Sequence, residues 1–105
     1  MRLVYLIYAY SDYNNMQELE GKIERLIAED DGETIFFSPL HTFGWQYGCW
    51  DYAEGAELCD DIMGRCDHAL VISGPFGTVP DEIAAAEQAG LTVDYDAEVQ
   101  ETFYI

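Results

Sequence analysis

The sequence predicts an α/β fold in which a mainly parallel sheet of four to five strands packs against about three helices. The first observation is that strand-like apolar segments alternate with segments of helical period along the chain. The second is that residues 2–10 are apolar almost throughout, which is typical of a strand covered by helices on both faces of its sheet. Because the chain has 105 residues, we expect a single domain over residues 1–105.

The elements after this first strand are predicted from the spacing of the apolar residues and from the residues that end helices and strands. Apolar residues recur at helical spacing from Met16 to Ile27, which predicts an amphipathic helix over 15–29, ended by Gly32. The remaining predicted elements are a strand at 34–38, an aromatic-rich loop at 39–50, a helix at 51–65, a strand at 68–73, a helix at 79–89 and a strand at 91–95. We expect the tail at 96–105 to form an edge strand or a contact with a second subunit.

This alternation also predicts where a ligand would bind. Crossovers between parallel strands are right-handed, so the carboxyl ends of the strands meet at one edge of the sheet. Ligands of such sheets bind outside these carboxyl ends. The candidate site is therefore expected among the residues that follow the strands, which are 8–13, 38–50, 73–78 and those after Tyr95.

The charge of the chain excludes one class of function. There are 21 acidic and 4 basic residues, for a net charge of −17, and the acids are spread over 12–33, 51–67 and 81–101. So few bases cannot form a track for phosphates, so we expect no direct binding of nucleic acid. Two interpretations of the acidity stay open. It is either a solvated, self-repelling surface or a surface that imitates DNA and docks on a basic partner.

The cysteines indicate a reducing compartment, and the lengths of the apolar runs bear on membrane association. Cys49, Cys59 and Cys66 form no CxxC pair and are odd in number, which argues against a disulfide framework and for the reducing cytoplasm. We interpret them as small core residues, since they and the two histidines lack the spacing of a metal site. No apolar run approaches the ~20 residues of a membrane span, so we expect no membrane partner. No cofactor or metal is expected.

The stretch "GTVPDEIAAAEQAG" at 77–90 places two acids at the start of a predicted helix. Thr78 is expected to cap this helix, with Asp81 as its capping-box partner. Glu82 shares a helix edge with Ala86, which places it at the border of the buried face and over the end of the sheet. The helix dipole would favour its ionised form, as a carboxylate nucleophile requires. Capping alone and a role in a site both remain open for Glu82.

The same acids predict which part of a ligand would lie there. A phosphate prefers a helix start without acids, and the sequence has neither a Walker loop nor a dinucleotide fingerprint. If a nucleoside-like ligand binds, this end of the site should contact its sugar.

Aromatic residues supply the other half of the predicted site. Flat apolar faces near a carboxylate suit a base or a sugar ring, although ordinary packing is the alternative for each of them. A hydroxyl from Tyr5 or Tyr10 near Glu82 would orient the carboxylate. The aromatic candidates are Tyr5, Tyr8 and Tyr10 of the first strand and Phe43, Trp45, Tyr47 and Trp50 of the long loop.

Four segments resemble a known family in their order and spacing. They are "VYLIYAYS", "FSPLHTFGW", "AELCDDIMGRCDHALVISG" and "PDEIAAAEQAGLTV". Together they are similar to the nucleoside 2-deoxyribosyltransferase-like superfamily, and most of all to its short bacterial and phage domains of unknown function. The similarity covers about residues 2–95. Its most specific parts are "RCD" and the pattern E-I-x-x-A-x-x-x-G, here Glu82, Ile83, Ala86 and Gly90.

The resemblance implies a flavodoxin-like three-layer sandwich and an enzyme that cleaves or exchanges the bond between a base and deoxyribose. It implies that Glu82 attacks the anomeric carbon, that Tyr5 orients it, and that Asp60 or Asp61 handles the base or the sugar. It also implies a site completed in a homo-oligomer. The substrate-binding candidates, from the resemblance and the strand ends, are Tyr8, Tyr10, Ser11, Phe43, Trp45, Ser73, Gly74 and Thr78.

Two departures from the family pattern leave alternatives to the enzyme. Tyr8 replaces a small residue, and Phe76, Gly77 and Thr78 replace the usual serine and glycine before the glutamate. The first alternative is a catalytically silent module that binds a nucleotide-derived small molecule, or a phage accessory protein. The second is an acidic protein that inhibits a basic partner.

Overall fold

The computed structural model describes residues 1–9, 16–43 and 51–103, without the side chains of Phe43 and Tyr52. Its strands are β1 (Arg2–Ile7), β2 (Thr34–Phe37), β3 (His68–Val71) and β4 (Thr92–Tyr95). Its α-helices are α1 (Met16–Glu29), α2 (Pro39–Phe43), α3 (Tyr52–Met63) and α4 (Val79–Gln88), followed by a 3-10 helix at Gln100–Phe103.

The four strands form one parallel sheet in the order β2-β1-β3-β4. Tyr5 of β1 lies opposite Phe37 of β2 on one side and Ala69 of β3 on the other. This order and direction confirm the predicted α/β class and its flavodoxin-like three-layer arrangement.

Side chains of the central strand alternate between two cores, as the pleat of a strand requires. Tyr5 and Ile7 are fully buried in the larger cluster, which includes Cys59 and Met63 of α3. Leu6 packs in the smaller cluster on the other face, against α1. Helices therefore cover both faces of β1, which is why its sequence is apolar without alternation.

Two predictions need correction: that residues 39–50 begin as a loop, and that the tail forms an edge strand. The loop begins with the five-residue helix α2, because Pro39 stands at its first position and the Thr42 amide donates to the Ser38 carbonyl at 2.9 Å. The described part of the tail forms a 3-10 helix instead of an edge strand, and the Phe103 ring packs against Tyr95 at an interplanar angle of 55°, with ring centroids 4.8 Å apart.

The structure confirms the packing role predicted for two cysteines. Cys59 is buried, and Cys66 is half-buried against the larger core. Among the described residues no group of three His, Cys, Asp or Glu side chains could hold a metal ion. Within the same ranges, no helix combines the length and the apolar character that crossing a membrane requires.

Candidate functional site

Two hydrogen bonds join the chain segments at the carboxyl ends of β1 and β3. The Ile72 amide donates to the Ile7 carbonyl at 3.0 Å, and the Ala9 amide donates to the Ser73 hydroxyl at 2.7 Å. The serine side chain takes the place of a strand partner, so β1 ends at Ile7 and not at residue 10 as predicted. Glu82 stands in the first turn of α4, the helix that follows this edge.

Thr78 precedes α4 but does not cap it in the predicted way. Its side chain makes no cap hydrogen bond to the backbone, so the capping box expected with Asp81 is wrong. The Thr78 hydroxyl instead donates to Glu82 Oε2 at 3.2 Å, and the Glu82 amide donates to the Thr78 carbonyl at 2.9 Å. The threonine therefore orients the glutamate carboxyl.

The Glu82 carboxyl is held in a way that favours its protonated form. Burial, with smaller contributions from the charges of Asp60 and Asp81, raises the pKa of Glu82 to about 7, against the lowering effect of the Thr78 hydrogen bond. The expectation based on the helix dipole was for the ionised form, and it is wrong because desolvation outweighs the dipole here. The predicted position at the border of the buried face is correct.

No cation offsets this carboxyl in the described part of the chain. All four basic residues of the sequence lie within the described ranges, and none forms an ion pair with Glu82. A half-buried acid with acidic neighbours and no counter-ion is typical of a group that exchanges protons or attacks a substrate.

The two candidate aspartates of α3 have different surroundings. The charge of Asp60 contributes to the raised pKa of Glu82, so it lies near that carboxyl. Asp61 instead lines a shallow depression with Glu54, Glu57 and Leu58. Asp60 is therefore the one of the two candidates whose charge acts on Glu82.

Tyr5 and Tyr8 have different surroundings. Tyr5 is fully buried, and its ring stacks on Phe37 with centroids 5.5 Å apart. The Tyr8 hydroxyl lies 2.6 Å from Ser38 Oγ and accepts from the Leu40 amide at 3.2 Å. Burial raises the pKa of Tyr8, and the nearby charge of Glu82 adds to the effect. Tyr8 is therefore fixed between the end of β2 and the candidate site.

The loop after β3 combines structural residues with one exposed aromatic ring. Ser73 is fully buried, and its hydroxyl also donates to the Gly74 carbonyl at 3.3 Å. A Cβ on Gly74 would lie 2.7 Å from the ring of Phe76, so glycine permits this close approach. Phe76 itself is 51% exposed. Ser73 and Gly74 are both buried and shape the loop that presents Phe76, and their predicted contacts with a ligand stay predictions.

Several predicted binding residues lie outside the described part of the chain. They are Tyr10, Ser11, Trp45 and the side chain of Phe43. Their predicted contacts with a ligand stay predictions.

Sequence reasoning missed a polar cluster at the end of β2. Ser38 Oγ lies 2.8 Å from His41 Nδ1, and His41 Nε2 lies 3.4 Å from Glu20 Oε1. The signal available was the spacing "SPLH", which brings a hydroxyl and an imidazole together if a helical turn follows the strand. The glutamate could not be found this way, because it comes from α1.

Comparisons of the chain with known protein families, with curated proteins and with solved structures found no match in any of the three. The resemblance to the deoxyribosyltransferase-like superfamily therefore stays a prediction.

Proposed function

We propose that this chain cleaves the N-glycosidic bond of a nucleoside-like substrate, with Glu82 as the nucleophile. The observation that carries the proposal is the half-buried Glu82 carboxyl, which has acidic neighbours and the Thr78 hydroxyl around it but no counter-ion among the described residues. Removal from water leaves such a carboxylate more reactive toward an electrophilic carbon.

The proposed reaction has two balanced steps. A Glu82 oxygen forms a bond to the anomeric carbon while the carbon–nitrogen bond breaks, and the base leaves with the bonding electron pair and takes up a proton from solvent. A water molecule or a second base then attacks the anomeric carbon, returns a proton to solvent and releases the glutamate carboxylate. The role proposed for Asp60 is to orient the sugar or the departing base, and its electrostatic effect on Glu82 supports this role.

Charge supports nucleosides over nucleotides as the substrate class. Asp81 and Glu82 occupy the first turn of α4, where a phosphate would otherwise bind. The net charge of −17 also repels anionic substrates. The proposed partners are a nucleoside-like small molecule and a second copy of the chain, and the odd cysteine count supports a cytoplasmic location.

The test is release of free base from a panel of deoxynucleosides and ribonucleosides, followed by chromatography. Glu82→Gln should lower the rate about 1,000-fold or more, whereas the adjacent and exposed Asp81→Asn should change it only a few-fold. Because the nucleophile must be ionised, the rate should rise as the pH increases through about 7.

Other outcomes would replace the proposal. Equal rates in the wild type and in Glu82→Gln would exclude Glu82 as the nucleophile. No base release, together with thermal stabilisation by a nucleoside, would assign a silent binding module. Neither effect, with salt-sensitive binding to a cationic protein, would assign the acidic inhibitor.

A further inference from the structure

A second set of reactive side chains surrounds a cavity of about 270 Å³ at the carboxyl end of β2. This cavity lies on the α1 side of the sheet, whereas α4, which carries Glu82, packs against the opposite face. The residues that line it are Glu20, Ile23, Glu24, Phe36, Ser38, His41 and Thr42.

Three of these residues, Ser38, His41 and Glu20, are arranged as the nucleophile, base and acid of a catalytic triad. Ser38 Oγ lies 2.8 Å from His41 Nδ1, and the other ring nitrogen of His41 lies 3.4 Å from Glu20 Oε1. A hydroxyl nucleophile beside a base, with the base oriented by a third group, is the arrangement that activates serine. The spacing to the glutamate is loose, as is common before substrate binds.

Donor and acceptor roles direct the Ser38 proton toward His41. A carboxylate can only accept, so within a neutral His41 ring Glu20 favours the tautomer that carries its proton on Nε2. Nδ1 is then an acceptor, and Ser38 must donate to it. The Tyr8 hydroxyl, 2.6 Å away, is left to donate to Ser38 Oγ. This is the tautomer in which His41 can act as a general base.

We propose that Ser38, His41 and Glu20 form a nucleophilic triad that hydrolyses short-chain esters of neutral or cationic alcohols. The proposal is independent of Glu82 and of N-glycoside cleavage. Its distinguishing observation is that all three side chains line the same cavity, in which Ser38 is 8% exposed.

The proposed reaction conserves atoms and protons. Ser38 Oγ forms a bond to the ester carbonyl carbon while its proton passes to His41 Nδ1. The bond from that carbon to the alcohol oxygen breaks, and the alcohol leaves with this proton. A water molecule then gives a proton to His41 and bonds to the acyl carbon, and Ser38 regains its proton as the carboxylic acid leaves.

The lining of the cavity supports this substrate class. Ile23 and Phe36 offer apolar surface for a small acyl group, and the volume is near the lower limit of small-molecule sites. Glu20 and Glu24 disfavour an anionic alcohol and favour a neutral or cationic one. The His41 side chain is 33% exposed, so water can reach the base for the second step.

The first experiment labels the wild-type protein with a fluorophosphonate probe and maps the modified residue by mass spectrometry. We expect modification at Ser38, with loss of fluoride. This measurement needs no variant, so a folding defect cannot obscure it. Absence of the probe from Ser38 would overturn the proposal.

The second experiment follows hydrolysis of p-nitrophenyl acetate in folded variants, checked by circular dichroism. Ser38→Ala and His41→Gln should each lower the rate about 100-fold or more, and Glu20→Gln about 10-fold. Glu29→Gln is the matched control, because Glu29 is an exposed glutamate of the same helix that does not line the cavity, and its rate should stay within about twofold of the wild type. A Ser38→Ala rate equal to that of the wild type would overturn the proposal.

Discussion

Two carboxyl groups at the same edge of the sheet are both partly buried, but their charges are compensated in different ways. Asp96 follows β4, and its Oδ2 lies 2.7 Å from the ammonium of Lys22, a residue of α1 that is only 7% exposed. Glu82 follows β3 and has no cation beside it among the described residues, so burial raises its pKa to about 7. One charge is balanced by a lysine and the other by a proton.

This difference separates a structural carboxylate from a candidate functional one. The Lys22–Asp96 pair ties α1 to the segment after β4, and it leaves neither group available to a ligand. Glu82 can release its proton near neutral pH, so it can change state during a reaction. Burial of an acid is therefore weak evidence of function, and burial without a counter-ion is stronger evidence.

The contrast between the two carboxyl groups predicts its largest effect for the substitution of Lys22. Lys22→Met should lower the free energy of unfolding by about 3–5 kcal/mol, because it leaves the Asp96 charge buried and unpaired. Chemical denaturation measures this change. Arg25→Met, at an exposed position of the same helix, is the control and should cost less than about 0.5 kcal/mol. Equal effects of the two substitutions would show that the ion pair has no structural role.

A second prediction concerns the stability of the fold as a function of pH. The folded-state pKa of Glu82 lies above its ordinary value of 4.5, so between pH 4.5 and about 7 the folded chain binds this proton more than the unfolded chain does. The free energy of unfolding therefore falls as pH rises through this window, by up to about 3 kcal/mol from this group.

Glu82→Gln isolates this contribution, because the glutamine cannot ionise. The variant should match the wild type near pH 4.5 and exceed its stability by up to about 3 kcal/mol at pH 8. Asp81→Asn, in the same helical turn but exposed, should show no such divergence. Parallel stability curves for the wild type and Glu82→Gln would mean that the carboxyl is solvated in the folded protein.

The strands and the parallel sheet could be predicted because local signals suffice for them. Continuous apolar runs marked β1 and β3, and helical period marked α1. The helix α2 has only five residues, too few for a period, and it is held by the contact of Ser38 with Tyr8, which lies 30 residues away. Such contacts between distant segments are invisible in a local pattern.

The position of Glu82 in the fold could be predicted from the sequence, but the direction of its pKa shift could not. Acids in the first turn of a helix after a strand placed Glu82 at the sheet edge, since the relevant signals are neighbours in sequence. The direction of its pKa depends on burial and on Asp60 of another helix, so the local dipole argument gave the wrong sign. The Ser38 cluster needed Glu20 from α1, which no spacing rule connects to "SPLH".

The smallest predicted effect concerns Thr78 and sharpens the contrast between the two carboxyl groups. Its hydroxyl donates to Glu82 Oε2 at 3.2 Å and lowers the pKa of Glu82 against the larger effect of burial. Thr78→Val removes this donor at nearly constant volume, so the midpoint of Glu82 titration, followed by carboxyl carbon NMR, should rise by about half a pH unit. Thr78→Ser keeps the hydroxyl and should titrate like the wild type. Because Thr78 makes no side-chain cap to the backbone of α4, the valine variant should lose little helix stability. An unchanged midpoint in Thr78→Val would mean that the Glu82 carboxyl accepts hydrogen bonds from solvent and not from the threonine.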